Sequence, residues 1–222
     1  MSLWEIYSLI KFITNKDFSG NVITPENFNE LIKVVNIDLF RKKYGLPEEY
    51  QPGRPVPNEH VDITLKNTDD LKIFRKSLVN TPVTLGVLPY PSDYAHRDEI
   101  VYNFVKNIDG MNVPLPRGVE ILNESQMSQR RGNYTKQPTT GHPCGVLRLD
   151  GIHIYPETIS AVDFYYFRFP NDPVFAYVRG DGFITYDPVG STEFEWVRDE
   201  HLTLTRMILS YIWLKQYLIH GN

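Results

Sequence analysis

The residues best suited to covalent chemistry stand in the run His142-Pro143-Cys144, where an imidazole and a thiol are separated by one residue. A histidine close to a cysteine can accept the thiol proton and so produce a nucleophilic thiolate. The intervening proline, in a stretch rich in proline and glycine, instead favours a constricted loop. We therefore predict no catalytic role for this pair.

Metal binding is the second chemistry that the residue types permit. The chain has six histidines and a single cysteine, Cys144, which excludes an internal disulfide and a cysteine-based zinc site. The histidines are scattered without ligand spacing. His153 alternates with Ile152 and Ile154, which places it on the opposite face of a strand and favours a surface or network role. We expect neither a metal nor a cofactor.

Carboxylates and glycine-rich loops give no catalytic motif either. The acidic pairs 48–49 and 69–70 are adjacent in sequence, and adjacency does not place two carboxylates across a shared substrate. Gly180-Asp181-Gly182 is typical of a turn between strands rather than of a phosphate-binding loop. Arg130-Arg131 closes a predicted short helix. We predict that the protein is not an enzyme; an enzyme with a dispersed site, for instance a carboxylate-dependent hydrolase, is the less favoured alternative.

Composition and charge favour contacts between proteins over contacts with nucleic acid. Of 222 residues, 41% are hydrophobic and 23% charged, as in ordinary globular proteins. Aromatic residues make up 13%, with 14 Tyr and 12 Phe, and such side chains are concentrated in cores and interfaces. The net charge is −4, and the longest basic run, 41–43, lies at a predicted helix end, where it offsets the helix dipole. We expect no stable grip on DNA.

The opening residues 1–18 predict neither a signal peptide nor a membrane span. No charged region precedes the apolar residues, and no small-residue cleavage site follows them. Lys11 and Lys16 interrupt the apolar run. We expect no membrane partner.

Two helices are predicted within residues 1–45. Ser2 and Glu5 have the spacing of a capping box at the start of the first helix. Thr24 caps the second helix, and Gly45 closes it. Because only a short polar turn separates the helices, we expect an antiparallel helical hairpin. Its contact is expected to bring Phe28, Leu31, Ile32 and Val35 against Trp4, Tyr7 and Ile10.

Beyond the second helix the sequence predicts an α+β fold with a mainly antiparallel sheet. Residues 46–60 contain four prolines and little apolar content, which indicates an extended linker or arm. Residues 61–198 show short alternating strands, and 199–222 form a helix that is apolar nearly all round. We expect these segments to make one compact domain overall. The predicted strands lie near 61–66, 82–88, 99–106, 117–122, 145–149, 151–155, 159–169, 173–178 and 182–186, with short helices or turns near 69–77 and 124–131.

Three features carry more contact surface than one chain of this size ordinarily covers. The arm 46–60 is too long for an ordinary connection, the run 164–167 is aromatic on both faces, and the terminal helix is apolar on several sides. We therefore predict that the chain is covered in part by neighbouring protein. The interface candidates are Phe164, Tyr165, Tyr166, Phe167, Trp196, Tyr211 and Trp213.

Five blocks of sequence follow one another along almost the whole chain. They are Ile13-Thr14-Asn15-Lys16-Asp17 with Gly20 to Asn29 and Asp38 to Gly45; Leu88 to His96; Glu120 to Pro138 with His142-Pro143; Ile154-Tyr155-Pro156 with Phe164 to Val174; and Phe194-Glu195-Trp196. In this order the blocks resemble the virion structural proteins of tailed bacteriophages that infect Bacteroidetes, including the crAss-like group.

The resemblance implies a head-to-tail connector, or neck, protein. Identical subunits, a dodecamer by resemblance, would form a ring below the portal, with a central channel that genomic DNA crosses transiently. The implied partners are copies of the chain itself, the portal and neighbouring neck or tail rings, and the implied location is the virion after synthesis in the host cytoplasm. The family offers no catalytic residues. Its glycine-containing ending is replaced here by Trp213 to Leu218, so the docking partner of the terminal helix is expected to differ. A minor capsid, tail-hub or cargo protein is the alternative within the virion.

Overall fold

The computed structural model describes residues 1–14, 23–45, 69–108, 110–180 and 184–220. Within these ranges the chain is α+β, with helices at both ends and mainly antiparallel sheets, as predicted. It divides into two compact units, Met1–Ile73 with Phe169–Asn222, and Phe74–Arg168. The predicted β region 61–198 is therefore distributed over both units, and one compact domain stays a prediction. The predicted arm 46–60 and the strand 61–66 lie outside the described residues.

Among its described residues, the first unit contains three long helices and a short β-hairpin. The helices are α1 (Leu3–Thr14), α2 (Pro25–Tyr44) and α4 (Glu200–His220), and the hairpin strands are β9 (Tyr177–Arg179) and β10 (Ile184–Tyr186). Helix α4 packs against both α1 and α2. Three helices therefore share the burial that the sequence assigned to a pair.

The helix ends follow the sequence signals closely. The Glu5 N–H donates to Ser2 Oγ over 3.2 Å and the Ser2 N–H donates to Glu5 over 2.8 Å, which confirms the capping box. Thr24 Oγ1 accepts from the Asn27 N–H at 3.3 Å. Gly45 ends α2 with an extended backbone (φ −67°) rather than a left-handed one. Glycine is favoured there because an added Cβ would lie 2.9 Å from the Arg41 carbonyl oxygen.

The basic end of α2 is held by carboxylates. Lys43 Nζ lies 2.7 Å from Asp70 and 2.8 Å from Glu200, the residue that begins α4. Burial lowers the pKa of Lys43, but the hydrogen bonds to the two carboxylates outweigh it and leave the pKa above its usual value. The cluster 41–43 thus includes a structural ion pair that joins α2 to the start of α4.

The face between α1 and α2 matches the expected hairpin in part. Tyr7 packs on Phe28 with ring centroids 5.1 Å apart, and both rings are buried. Trp4, in contrast, stacks on Phe175 and Tyr186, at 6.3 and 5.8 Å, and not on α2. The face that the sequence assigned to two helices is completed by the segment around β9 and β10.

The second unit is built from two four-stranded sheets and one helix, α3 (Glu124–Gly132). The first sheet has the order β1-β8-β3-β4 and the second the order β2-β7-β6-β5; every pair is antiparallel except the parallel pair β5–β6. The strands are β1 (Arg75–Pro82), β2 (Val87–Leu88), β3 (Tyr94–Ile108), β4 (Met111–Gly118), β5 (Glu120–Leu122), β6 (Cys144–Arg148), β7 (Gly151–Tyr155) and β8 (Ala161–Arg168). Ile152 and Ile154 of one sheet and Phe164 and Tyr166 of the other belong to one buried cluster.

Two strands differ from the sequence-based expectation. The helix or turn expected near 69–77 is present as far as Phe74, with helical residues at 69–70, a turn at Leu71 and the 3₁₀ turn Lys72–Phe74, but strand β1 (Arg75–Pro82) follows it and was not predicted before residue 82. Strand β4 (Met111–Gly118), which contains Pro114 and Pro116, was not predicted apart from its last residues, 117–118. Strand β4 lies at the edge of its sheet. Two prolines that are two residues apart lack their backbone N–H groups on the same side of the strand, and here that is the outer side, away from β3.

Candidate interaction surfaces

The aromatic candidates in β8 have their surface covered inside the second unit. Strand β8 lies between β1 and β3, and its side chains alternate in burial. Phe164, Tyr166 and Phe167 are buried, and only Tyr165 is half-buried, with the Arg75 guanidinium 5.5 Å from its ring. The need to cover both faces of this run, which motivated its prediction as an interface, is therefore met within the chain.

Trp196 is likewise buried, at the centre of a polar network in the first unit. Its indole Nε1–H donates to Asn36 Oδ1 over 2.8 Å, and Asn36 Nδ2 donates to the Asn171 carbonyl over 2.9 Å. His201 bridges two backbone carbonyls, those of Trp196 at 3.0 Å and Met1 at 2.7 Å. A buried indole with a satisfied N–H serves the packing of this unit.

The remaining two candidates lie on α4. Tyr211 is half-buried and its hydroxyl donates to the Asp38 carboxylate of α2. Trp213 is 55% exposed and Leu202, on the same helix, is 49% exposed. Of the seven candidates, Trp213 is the one that presents a large apolar surface in the described structure.

Another surface is a β-ribbon whose second strand, β4, the sequence analysis did not predict over residues 111–116. Strand β8 pairs with β3 only as far as Val101, whereas β3 and β4 continue to pair from Val101 to the turn before Met111. Within the described strands of the second unit, the β3–β4 ribbon (residues 102–117) therefore has no third strand. None of its described side chains is buried.

The two faces of the β3–β4 ribbon differ in character. Residues directly opposite each other share a face, so the register Phe104↔Leu115 and Lys106↔Val113 defines one of them. Its described side chains are those of Tyr102, Phe104, Lys106, Met111, Val113, Leu115 and Arg117, and we call this the apolar face. It carries two cations and no carboxylate. The opposite face is mainly polar and holds Val105 between asparagines and the two prolines.

The apolar face is continuous with the core of the second unit. Tyr102, at its base, packs against the buried cluster that includes Ile100 and Phe164. Toward the turn, away from Tyr102, the side chains become more exposed, and Met111 is 69% exposed. A signal for this ribbon was present in Asp109-Gly110, a hairpin dipeptide, and Gly110 has φ +81°.

A second surface is a cavity of about 700 Å³ in the first unit. Its described lining comes from α1, the start of α2 and the β9–β10 hairpin: Trp4, Tyr7, Ser8, Lys11, Ile23, Thr24, Pro25, Arg179, Gly180 and Ile184. Asn29 fixes the aromatic cluster beside it, because its amide exchanges hydrogen bonds of 2.9 and 2.8 Å with the backbone of Phe175. Phe175 in turn packs on Trp4 and Tyr7. The aromatic wall is therefore held in place before any ligand arrives.

Charged groups surround the mouth of this cavity. Glu26, at the start of α2, accepts hydrogen bonds from the Tyr177 hydroxyl and the Arg179 guanidinium. The Tyr177 hydrogen bond is the main reason that the pKa of Glu26 is lowered. Lys11 lies with its ammonium 5.7 Å from the Tyr7 ring centroid, and the described residues include no carboxylate paired with it. Lys11 thus gives this rim a positive charge.

The groups with potential for covalent chemistry are engaged elsewhere. Cys144 is buried in β6, 2.8 Å from Arg130 Nη1, and burial raises the pKa of its thiol above the ordinary value although Arg130 acts in the opposite sense. His153 stands opposite the buried Ile152 and Ile154, as predicted, and contacts Asp150 at 2.9 Å. A raised thiol pKa reduces the nucleophilic thiolate fraction at neutral pH.

Among the described residues, no group of three or more histidine, cysteine or acidic side chains could hold a metal ion. In the same part of the chain, no helix has both the length and the apolar character needed to cross a bilayer. Neither result bears on the two surfaces above.

No protein-family model matches the chain, and no curated protein matches it.

Proposed function

We propose that this chain is a structural, non-catalytic subunit of a bacteriophage virion that forms a ring in the head-to-tail connector below the portal. The observation that carries the proposal is the β3–β4 ribbon, whose apolar face has no fully buried side chain among the described residues. The sequence blocks supply the family context, and the ribbon supplies a surface that requires a protein neighbour.

Beyond Val101, the β3–β4 ribbon is not paired with any other described strand of the second unit. A two-stranded hairpin is marginally stable by itself in water and requires a further strand or a packed face. Here the strands continue for several residue pairs beyond Val101 with side chains that are at most half-buried. Covering Phe104, Leu115 and Met111 with a neighbour removes their apolar area from water, which supplies a driving force for assembly.

The charge distribution favours a like copy as that neighbour. The apolar face carries Lys106 and Arg117, whereas the whole chain has a net charge of −4. A cationic patch on an acidic protein is attracted to the remaining surface of another copy. Contact between two different patches of identical chains is head-to-tail, and it closes into a ring when the rotation between subunits closes.

Exposed apolar groups on α4 suit a different contact. Trp213 and Leu202 lie on the helix whose ending departs from the family pattern. We assign this surface to docking against an adjacent ring or the portal, and the ribbon to contacts between copies. The net acidic charge is consistent with a channel that DNA crosses without being gripped.

Sedimentation over a concentration series tests self-association through the ribbon. Phe104→Ser, on the apolar face, should reduce association by tenfold or more, which corresponds to about 1.4 kcal/mol. Val105→Ser, on the opposite face of the same strand, is the matched control and should associate like the parent chain. Equal association of both variants would remove the ribbon from the interface.

Assembly in the particle can require the portal as a template, so imaging of the intact virion is the decisive measurement. The expected result is a closed ring below the portal with the β3–β4 ribbon against the next copy. Copies that lie in the particle without lateral contacts to one another would overturn the proposal.

A further inference from the structure

We infer that the outer edge of β3, beyond the end of its pairing with β8, binds the same edge of a second copy of this chain in a two-fold, antiparallel strand contact. The contact goes beyond the proposed function, because it joins two copies through equivalent surfaces and does not require the ring. It is carried by the direction of the backbone groups of β3, by the prolines on the other edge of the ribbon, and by side chains that are complementary to themselves.

The open edge of β3 consists of the backbone groups of Asn103, Val105 and Asn107. Asn103 and Val105 lie directly opposite Pro116 and Pro114 of β4. In an antiparallel ladder, pairs that exchange both backbone hydrogen bonds alternate with pairs whose N–H and C=O groups point away from each other. A proline has no N–H to exchange, so these are pairs of the second kind. The N–H and C=O groups of Asn103, Val105 and Asn107 therefore point away from β4.

The start of the ribbon follows the same alternation. The Ile100 carbonyl accepts the Val119 N–H at 2.8 Å, so the even-numbered residues here turn their backbone groups toward β4. Val101, of the opposite phase, pairs with Asp163, where the ladder between β8 and β3 ends. Beyond Val101, the described part of the chain supplies no hydrogen-bond partner for the N–H and C=O groups of the open edge.

An open edge of this kind is a binding site for another strand. Main-chain hydrogen bonds to the added strand give affinity, and the alternating side chains give specificity. The other edge of the ribbon is protected, because Pro114 and Pro116 remove outward N–H groups from β4. Residues 101–108 of β3 contain no proline. The ribbon therefore directs an added strand to β3.

The open edge of a second copy is complementary to this one. In an antiparallel register centred on Val105, that residue lies opposite its counterpart, and Asn103 lies opposite Asn107 of the other copy. Each of these pairs can exchange both outward hydrogen bonds, so every group of the open edge gains a partner. A contact between identical surfaces closes with two copies.

Side chains on the apolar face select this register. Phe104 lies opposite Lys106 of the other copy, which places an ammonium group beside an aromatic ring. A register centred on Lys106 would place two like charges opposite each other, which is destabilising. A register centred on Phe104 would bring Asn107 opposite Val101, whose outward groups already pair with β8. The register centred on Val105 avoids both conflicts.

The strand contact leaves the apolar face accessible. Residues that lie opposite each other share a face, so the apolar faces of the two copies lie side by side on one surface of the joined sheet. The partner supplies the third strand that an isolated hairpin requires. The proposed ring contact, which uses the apolar face, is therefore compatible with the strand contact.

Spin labels at Val105 test the two-fold contact directly. In a Cys144→Ser background, Val105→Cys carries a nitroxide on the exposed polar face and leaves the backbone edge unchanged. In the expected register the two labelled Cα atoms lie about 5.5 Å apart, so dipolar broadening should appear and increase with protein concentration. Leu149→Cys, fully exposed in the second unit, is the control, and its label should give no broadening. A label at Val105 whose spectrum stays sharp at about 1 mM protein would overturn the inference.

A proline at the same position separates the backbone contribution from that of the side chain. Val105→Pro removes the central outward N–H and leaves the hydrogen bonds between β3 and β4 intact, because this N–H takes no part in them. In the parent chain, raising the protein concentration should slow amide exchange at Asn103 and Asn107 by about tenfold or more. Val105→Pro should lose that protection, and the matched control Val105→Ser, which keeps the N–H, should retain it. Equal protection in both variants would exclude the backbone edge as the contact.

The outcomes separate the strand contact from the proposed ring. Met111→Ser, on the apolar face, should weaken association through that face and leave the broadening at Val105 unchanged. If the Val105 label stays sharp while association through the apolar face persists, the strand contact is wrong and the ring proposal stands. Broadening at Val105 in a protein that forms no ring in the particle would retain the strand contact and overturn the ring.

Two further results would exclude the second copy's edge as the occupant. Slowed exchange of the open-edge amides without broadening at Val105 would mean that a different strand binds there. Protection of these amides that does not depend on protein concentration would mean that the chain covers its own edge.

Discussion

The aromatic cluster of the first unit and the β3–β4 ribbon of the second contain similar side chains in opposite situations. Tyr7, Phe28 and Phe175 lie within about 5 Å of one another, and each is at least 98% buried. On the ribbon, Met111 is 69% exposed and no described side chain is buried. Apolar content alone therefore does not identify a core. What distinguishes the two regions is whether the chain supplies a second layer, and where it does not, a partner is the physical expectation.

The largest expected effect is in the cluster. Phe28→Ala should lower the free energy of unfolding by on the order of 3 kcal/mol, because it removes a buried ring that contacts Tyr7 and Phe175. Urea denaturation monitored by circular dichroism measures this loss. Phe12→Ala on α1 is the control, since Phe12 is 63% exposed and its loss should cost little. A loss below about 0.5 kcal/mol for Phe28→Ala would mean that this cluster is no better packed than the ribbon.

A smaller loss in the free energy of unfolding is expected when the Tyr166 hydroxyl is removed from the core of the second unit. The buried Tyr166 hydroxyl donates to Asp93 at 2.9 Å, so Tyr166→Phe should cost about 1 kcal/mol. Burial is the main cause that raises the pKa of Tyr166 to about 12. A raised pKa contributes stability that is present below pH 10 and lost as the pH rises toward 12. The parent chain should therefore lose stability between pH 8 and pH 11 while Tyr166→Phe does not. The difference between their denaturation midpoints should be smaller at pH 11 than at pH 8.

The acid side of the same contact gives a further test. The hydrogen bond from Lys76 is the main cause that lowers the pKa of Asp93, with Tyr166 contributing in the same direction. A lowered carboxyl pKa gives stability that is present above its unfolded value near 3.9 and lost as the pH falls through the folded value. Asp93→Asn should therefore be less stable than the parent at pH 6, with a smaller difference at pH 2. A difference independent of pH would exclude this ionisation as the cause.

The smallest expected effect on stability is on the ribbon. Met111→Ser should change the free energy of unfolding by less than about 0.5 kcal/mol, because the side chain is already exposed. Amide hydrogen exchange gives the complementary measurement. In the isolated chain, the amides of 103–107 should exchange much faster than those of β8, which is paired on both sides. Equal protection in the isolated chain would indicate that the ribbon is covered without a partner.

Local signals in the sequence were reliable where a few neighbouring residues decide the structure. The capping box at Ser2 and Glu5 and the cap at Thr24 form as predicted. The alternation around His153 also gave the correct faces of β7. Such features depend on hydrogen bonds and periodicity within one turn or one strand, so the sequence carries them almost completely.

The interface candidates illustrate what local patterns omit. The run 164–167 has aromatic rings on both faces, which in isolation indicates two surfaces to cover. Its central position between β1 and β3, with a second sheet against Phe164 and Tyr166, covers most of them within the chain. Conversely, β4 was not predicted over residues 111–116, and its place at a sheet edge makes Pro114 and Pro116 compatible with a strand.

By itself, the sequence determined the α+β class, the helical ends, the caps and most of the strands, because these follow from short-range hydrogen bonding and from the period of the apolar residues. Only the tertiary structure decided which apolar surfaces are covered. Strand order and the meeting of distant segments, such as Trp4 with Phe175 or Asn36 with Trp196, depend on contacts that no local pattern encodes. Burial is a property of those long-range contacts, and so the ribbon and the cavity emerged only with the fold.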